Sequence, residues 1–302
     1  MTTRRRFLTI SAAAAMLPHR ALAQPIHTWQ GIALGARATL RLAHPDAAAI
    51  SQRVADEIDR LEDIFSLYRA QSDLSRLNRD GRLDTPPFEL LECLSLARSV
   101  HAASGGRFDP TVQPLWAIYA EASAAGRVPQ ARAIAERAVR VGLSRVTFDA
   151  MSIRLEPGMA LTLNGIAQGY IADRIADMLS AAGLKDILID TGEFRAVRGH
   201  PDGHPWPVQL AAGGTVPLAD RALATSAPLG TTFDEDATVG HILHPETGRP
   251  TTLNWSEVSI SAPTAALADS LSTAACLLDT RRDIDALVAQ FTGARVEATV
   301  PA

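Results

Sequence analysis

Five short segments place polar side chains inside apolar or turn contexts, where chemistry rather than solubility would explain them. The first runs from Tyr68 to Asn78 at a helix end. The second, Arg107-Phe108-Asp109-Pro110-Thr111, follows the Gly105-Gly106 turn. The third, Thr162-Leu163-Asn164-Gly165-Ile166-Ala167-Gln168-Gly169, reads as a strand passing through a glycine turn into a helix. Backbone N–H groups at such a helix start can receive phosphate. The fourth is His241-Ile242-Leu243-His244-Pro245-Glu246-Thr247-Gly248, and the fifth Asp269-Ser270-Leu271-Ser272-Thr273. On a helix Asp269 and Thr273 lie about 40° apart, while Leu267, Leu271, Ala274 and Leu278 gather opposite them. Oxygen ligands on one face suit a hard cation such as Mg²⁺, which keeps waters and takes substrate phosphates. Taken alone, the pair reads rather as the solvated face of a helix, with Asp near the N-terminus for its dipole.

The elements that must carry these segments alternate along the chain. Residues 30–43 alternate apolar and polar, as in a strand. Ile50, Val54, Ile58, Leu61 and Phe65 predict a helix over 46–67. Further helices are expected over 88–103, 129–141 and 167–182, the last stopped by Gly183. Strands are expected at 145–155, 159–163 and Ile187–Ile189. Strand and turn signals dominate 195–262, and helices over 264–279 and 283–292 close the chain. This order predicts an α+β domain, or two closely interleaved lobes.

Composition narrows the function. The chain has 302 residues, 47% hydrophobic and 21% charged, enough for a large core. A net charge of −4 and few aromatic residues argue against a nucleic-acid partner. Lys185 is the sole lysine, so no P-loop or Schiff-base lysine is available elsewhere. The generic P-loop, dinucleotide, nucleophile-elbow and zinc-protease motifs are absent. His200 and His204 have metal-ligand spacing, but Pro201, Gly203 and Pro205 favour a turn there. Cys93 and Cys276 read as small apolar core residues. At the N-terminus, Arg4-Arg5-Arg6-Phe7-Leu8, an apolar stretch and Ala21-Leu22-Ala23 resemble a twin-arginine export signal over residues 1–23. The expected location is therefore periplasmic, with a functional domain over 24–302.

In order and spacing, the five segments resemble the ApbE-like FAD:protein FMN transferases, over roughly Gln30 to Leu287. Ile189-Asp190-Thr191-Gly192-Glu193 and the export signal resemble the NosX-like branch, associated with nitrous oxide respiration. The resemblance implies an α+β fold with mixed and antiparallel sheets, packed helices and two interleaved lobes. It implies that FAD and Mg²⁺ bind, and that a Ser or Thr hydroxyl of an acceptor flavoprotein attacks the FMN-side phosphorus. AMP leaves, and FMN stays on the acceptor through a phosphoester. By position, Asp269, Thr273 and the Gly165 carbonyl are the implied metal ligands, with Ser272 an additional candidate. Leu34, Tyr68, Arg107, Phe108, Asp109, Thr162 and Gln168 are the implied FAD contacts. His241 is the implied catalytic histidine, orienting the pyrophosphate or moving a proton.

Each residue has a plainer alternative. Tyr68 could end a helix inside the core, Phe108 could be core packing, and His241 could satisfy a buried carbonyl. Asp109 before Pro110 could start a turn. Ser72 and Asn78 read as helix-end caps. Thr162 and Gln168 stand where the family commonly has an acid and a lysine, a paired loss that keeps the local charge balance. The same site could hydrolyse FAD with water, or bind flavin without turnover as an assembly factor.

Overall fold

The computed structural model describes residues 25–251 and 254–302. The export segment read at 1–23 lies outside the described residues. In chain order the elements are β1 (His27–Ala33), β2 (Ala36–Leu42), α1 (Ala47–Phe65), α2 (Asp73–Asp80), β3 (Arg82–Asp84), α3 (Phe88–Ala103), α4 (Gln113–Ala124) and α5 (Ala131–Ala138). Then come β4 (Thr147–Phe148), β5 (Ser152–Arg154), α6 (Ala167–Ala181), β6 (Ile187–Asp190), β7 (Phe194–Val197), β8 (Trp206–Gln209) and β9 (Thr215–Leu218). The last are β10 (Ala222–Ser226), β11 (Trp255–Ala262), α7 (Ala265–Ala275), α8 (Arg281–Val288) and β12 (Arg295–Pro301). The main sheet has seven strands in the order β1-β2-β6-β7-β10-β11-β12, every neighbouring pair antiparallel. Two small antiparallel sheets, β3-β5-β4 and the hairpin β8-β9, complete the fold.

Apolar stripes decide what covers the sheet. Ile50, Val54, Ile58, Leu61 and Phe65 turn one face of α1 into the core. α3, α6 and α7 join it in one cluster that reaches Val258 and Ile260 of β11. Each such side chain contributes about 1.5–3 kcal/mol on burial. On a second cluster, Trp206, Val208, Val216 and Leu218 of the small hairpin pack against Leu188, Ala196 and Leu223 of the sheet. A third cluster stands apart: Leu115, Ile118 and Tyr119 of α4, Ile134 of α5, and Leu243. The chain leaves the sheet body twice to build it, after α3 and again after β10. The interleaving of two lobes arises in this way.

Several local expectations need correction. The single strand expected over 30–43 is the hairpin β1–β2, turning at Leu34 and Gly35 with φ of 48° and 84°. Two-residue hairpin turns favour Asn-Gly, so Leu-Gly gave no turn signal. The Leu34 N–H is held instead by the Glu62 carboxylate at 2.6 Å. Residues 159–163 are not a strand: Asn78 clips Leu161 through both its backbone groups, at 2.7 and 2.8 Å. Asn78 is thus a long-range brace, not a helix cap, whereas Ser72 does cap α2 by accepting from Ser75 N–H. The strand expected at 145–155 breaks into β4 and β5. α4 was not expected from sequence; Pro110 and Pro114 both occupy first turns, where proline is tolerated. The helix expected to run to 292 stops at Val288, and β12 follows.

Candidate active site

The crease between the two lobes is a half-open cleft of about 640 Å³, its mouth included. Four separate segments line it. Arg107, Phe108 and Asp109 come from the turn after α3, and Thr162 and Gly165 from the turn before α6. His241 and its neighbours come from the loop after β10, and Thr273 from α7. Seven of the implied site residues therefore meet in one cleft. Asn164, Ile242, Leu243 and Pro245, which lay within the singled-out segments without an assigned role, also line it, as do Trp116 and Leu277, which lay outside them.

The turn before α6 lies directly on α7. A Cβ at Gly165 would come within 3.0 Å of the Thr273 hydroxyl and 3.3 Å of the Phe108 ring. A Cβ at Gly169 would overlap the backbone of Ala265. Both glycines are needed for close approach rather than for an unusual φ. The N-terminus of α7 is anchored by Asp173 of α6, whose carboxylate accepts from Ala265 N–H and Ala266 N–H at 2.8 and 2.9 Å. Arg195 stands 3.2 Å from the same carboxylate. Burial outweighs these partners and pushes Asp173 up to about 6.

Asp269 is not on a solvated face. It is 4% exposed, its Oδ2 has no hydrogen-bond partner, and the Gly169 N–H donates to its carboxylate. Burial raises it well above the ordinary carboxylate range. Thr273 lies one turn further along α7, its hydroxyl 3.4 Å from Ser226 Oγ. Ser226 Oγ also lies 2.8 Å from Ser272 Oγ, and the Ser272 hydroxyl donates to the Asp269 carbonyl. Ser272 is thus engaged by its own helix.

His241 Nδ1 lies 2.9 Å from the Thr231 carbonyl. A carbonyl only accepts, so the hydrogen sits on Nδ1 and Nε2 is left as an acceptor. Burial lowers the pKa of His241, against the opposing pull of the Thr231 and Pro228 carbonyls. It does satisfy a carbonyl, as its plainer reading held, while also lining the cleft. Arg107 has a buried Nε with no partner. Its charge joins burial in lowering His244.

The remaining implied contacts fall in two groups. Phe108 is both core and cleft wall. Asp109 braces the turn: Thr111 N–H and hydroxyl donate to its Oδ1 at 2.8 and 2.5 Å, and Leu143 N–H to its Oδ2 at 3.1 Å. Leu34, Tyr68 and Gln168 are not among the cleft-lining residues. Tyr68 is 76% exposed, which rules out the core-tyrosine alternative. Gln168 packs its amide against Gly192, in the turn between β6 and β7. Cys93 and Cys276 are buried free thiols, and burial pushes both pKa values up, Cys276 to about 12.

Among the described residues no three His, Cys, Asp or Glu side chains converge as a metal-binding cluster. The unpartnered Asp269 Oδ2, one helical turn from the Thr273 hydroxyl and beside the Gly165 turn, fits a hard, oxygen-seeking ion.

Comparison with known proteins agrees with this architecture. A curated FAD:protein FMN transferase of Vibrio cholerae is 27% identical over 282 residues, covering 86% of this chain and 83% of its own. One of Haemophilus influenzae is 27% identical over 251 residues, covering 74% and 72%. The solved ApbE protein of Thermotoga maritima superposes with a TM-score of 0.80 at 24% identity, over 92% of this chain and 97% of its own. The flavinyl transferase ApbE of Pseudomonas stutzeri superposes at 0.79 and 24%, over 91% and 94%. The ApbE family pattern matches residues 34–298. The chain belongs to the ApbE family.

Proposed function

We propose that this chain is an Mg²⁺-dependent FAD:protein FMN transferase. The observation that carries the reading is the convergence of Arg107, Gly165, His241 and Thr273 in one cleft, with the orphaned Asp269 carboxylate on the helix behind them. Asp269, Thr273 and the Gly165 carbonyl would hold the cation. The chemistry such an ion supplies is neutralisation and positioning of pyrophosphate oxygens. Arg107 offers a guanidinium to the same phosphates, which offsets the neutral Gln168 at the family's lysine position. Tyr68 presents a flat exposed face for a flavin or adenine ring. His241, with Nε2 as acceptor, takes the proton of the incoming Ser or Thr hydroxyl as its oxygen bonds the FMN-side phosphorus. The bond from that phosphorus to the AMP oxygen breaks, and AMP leaves.

The arginine pair and small-residue cleavage pattern at the N-terminus support export to the periplasm. The acceptor would then be an exported or membrane electron-transfer protein, with nitrous oxide respiration the setting suggested by the NosX-like segments. The test is mass spectrometry of a candidate acceptor domain incubated with the protein, FAD and Mg²⁺, with AMP followed in parallel. An acceptor mass gain equal to FMN, absent with Asp269→Ala, is expected. AMP without an adduct would assign the site to hydrolysis; bound FAD with neither product would assign it to flavin carriage.

A further inference from the structure

One buried carboxylate, Asp269, lies on α7 and a second, Glu193, on the β6–β7 turn that packs on Gln168 of α6; only the first belongs to the site as described so far. Glu193 closes the turn between β6 and β7 and is 8% exposed. Its Oε2, like Oδ2 of Asp269, has no partner. Each carboxylate is anchored by one backbone donor: Thr225 N–H for Glu193, Gly169 N–H for Asp269. Thr225 precedes Ser226, whose hydroxyl touches Ser272 and Thr273. The turn itself is fixed, because the Thr191 hydroxyl donates to the Gln168 carbonyl at 2.9 Å and Gly192 has a φ of 103°.

Among the described residues neither carboxylate has a basic ion-pair partner within 4 Å. Gln168, the side chain packed on this turn, is neutral. Burial and the nearby Asp269 charge both raise Glu193 well above the ordinary range. Two unpaired charges in a buried setting are costly. A proton can settle that cost, or a cation can. Mg²⁺ is commonly held by one or two carboxylates, with waters and substrate phosphates completing its octahedral shell, so a second carboxylate is compatible with such a site.

We propose that Glu193 is a second carboxylate ligand of the divalent cation held at Asp269. The proposal rests on the cation-dependent reading above and adds to it a residue that fixes affinity. The test uses Mn²⁺ as probe, with free Mn²⁺ followed by electron paramagnetic resonance during titration of the purified protein without FAD. Wild type is expected to bind Mn²⁺, Glu193→Gln at least about tenfold more weakly, and Asp269→Asn not detectably. Glu193→Asp, which keeps the charge on a shorter stem, should lie between wild type and Glu193→Gln. Thermal unfolding in EDTA accompanies each titration, and Glu193→Gln should be at least as stable as wild type there. Equal Mn²⁺ affinity in wild type and Glu193→Gln overturns the proposal and leaves the Asp269 reading standing. Failure of wild type to bind Mn²⁺, with or without FAD, overturns both. A lower unfolding midpoint for Glu193→Gln in EDTA, together with full affinity in Glu193→Asp, makes the residue structural and also overturns the proposal.

Discussion

Two carboxylates meet α7 under opposite terms, one at its N-terminus and one on its inner face. At its N-terminus, Asp173 meets two backbone N–H groups and Arg195, all supplied by the protein. On its inner face, Asp269 meets one backbone donor and keeps an oxygen with no partner. Both are raised by burial, so the shift alone does not distinguish them. The partner inventory does. A carboxylate whose donors are complete is structural; one left incomplete is arranged for something that arrives later.

The sharpest way to break this contrast is Asp269→Asn. It should lower AMP release about a thousandfold, the loss of several kcal/mol of charge stabilisation. In EDTA the same variant should unfold no earlier than wild type, because it removes an unpaired buried charge. Asp173→Ala should do the reverse. It strands two N–H groups and a guanidinium and should cost about 3 kcal/mol in denaturant unfolding.

Asp173 also carries a pH signature. Its folded carboxyl, at about 6, takes up a proton more readily than an unfolded one. Its contribution to stability is therefore full below the unfolded carboxylate range and is lost as pH rises through 6. Asp173→Asn should flatten the unfolding free energy between pH 4 and 7 relative to wild type. Gly169→Ala should separate α6 from α7 and cost about 2 kcal/mol by overpacking, measured the same way. Ser226→Ala, which removes only the hydroxyl contacts to Ser272 and Thr273, should cost about 1 kcal/mol.

The sequence carried the large periodic elements well. α1 and α6 were legible because their apolar residues recur at helical spacing, and α6 also carries the Gly183 stop signal. Seven implied site residues converge because their segments have recognisable order, although each is weak alone. What stayed hidden was set by partners distant in the chain. Leu34 adopts a left-handed turn held by Glu62, which no local rule anticipates. Asn78 serves Leu161, 83 residues away, rather than its own helix. Asp269 looked solvated by helical wheel, since the wheel does not show that α6 and the sheet cover its face. Glu193 entered the sequence reading only as the last residue of the Ile189–Glu193 segment; its importance lies in having no counter-charge, a property of three-dimensional surroundings.

The Asn78–Leu161 brace carries a consequence for how the protein comes into being. The cleft draws on residues from 107 to 277, and its turn before α6 is steadied from residue 78. Contacts of such sequence separation form late, after their loop-closure entropy has been met. During synthesis, a chain that has not yet produced α7 has neither Asp269 nor the surface that Gly165 rests on. Flavin therefore has no complete site to enter on the ribosome, and the site becomes available only once translation has passed the closing helices.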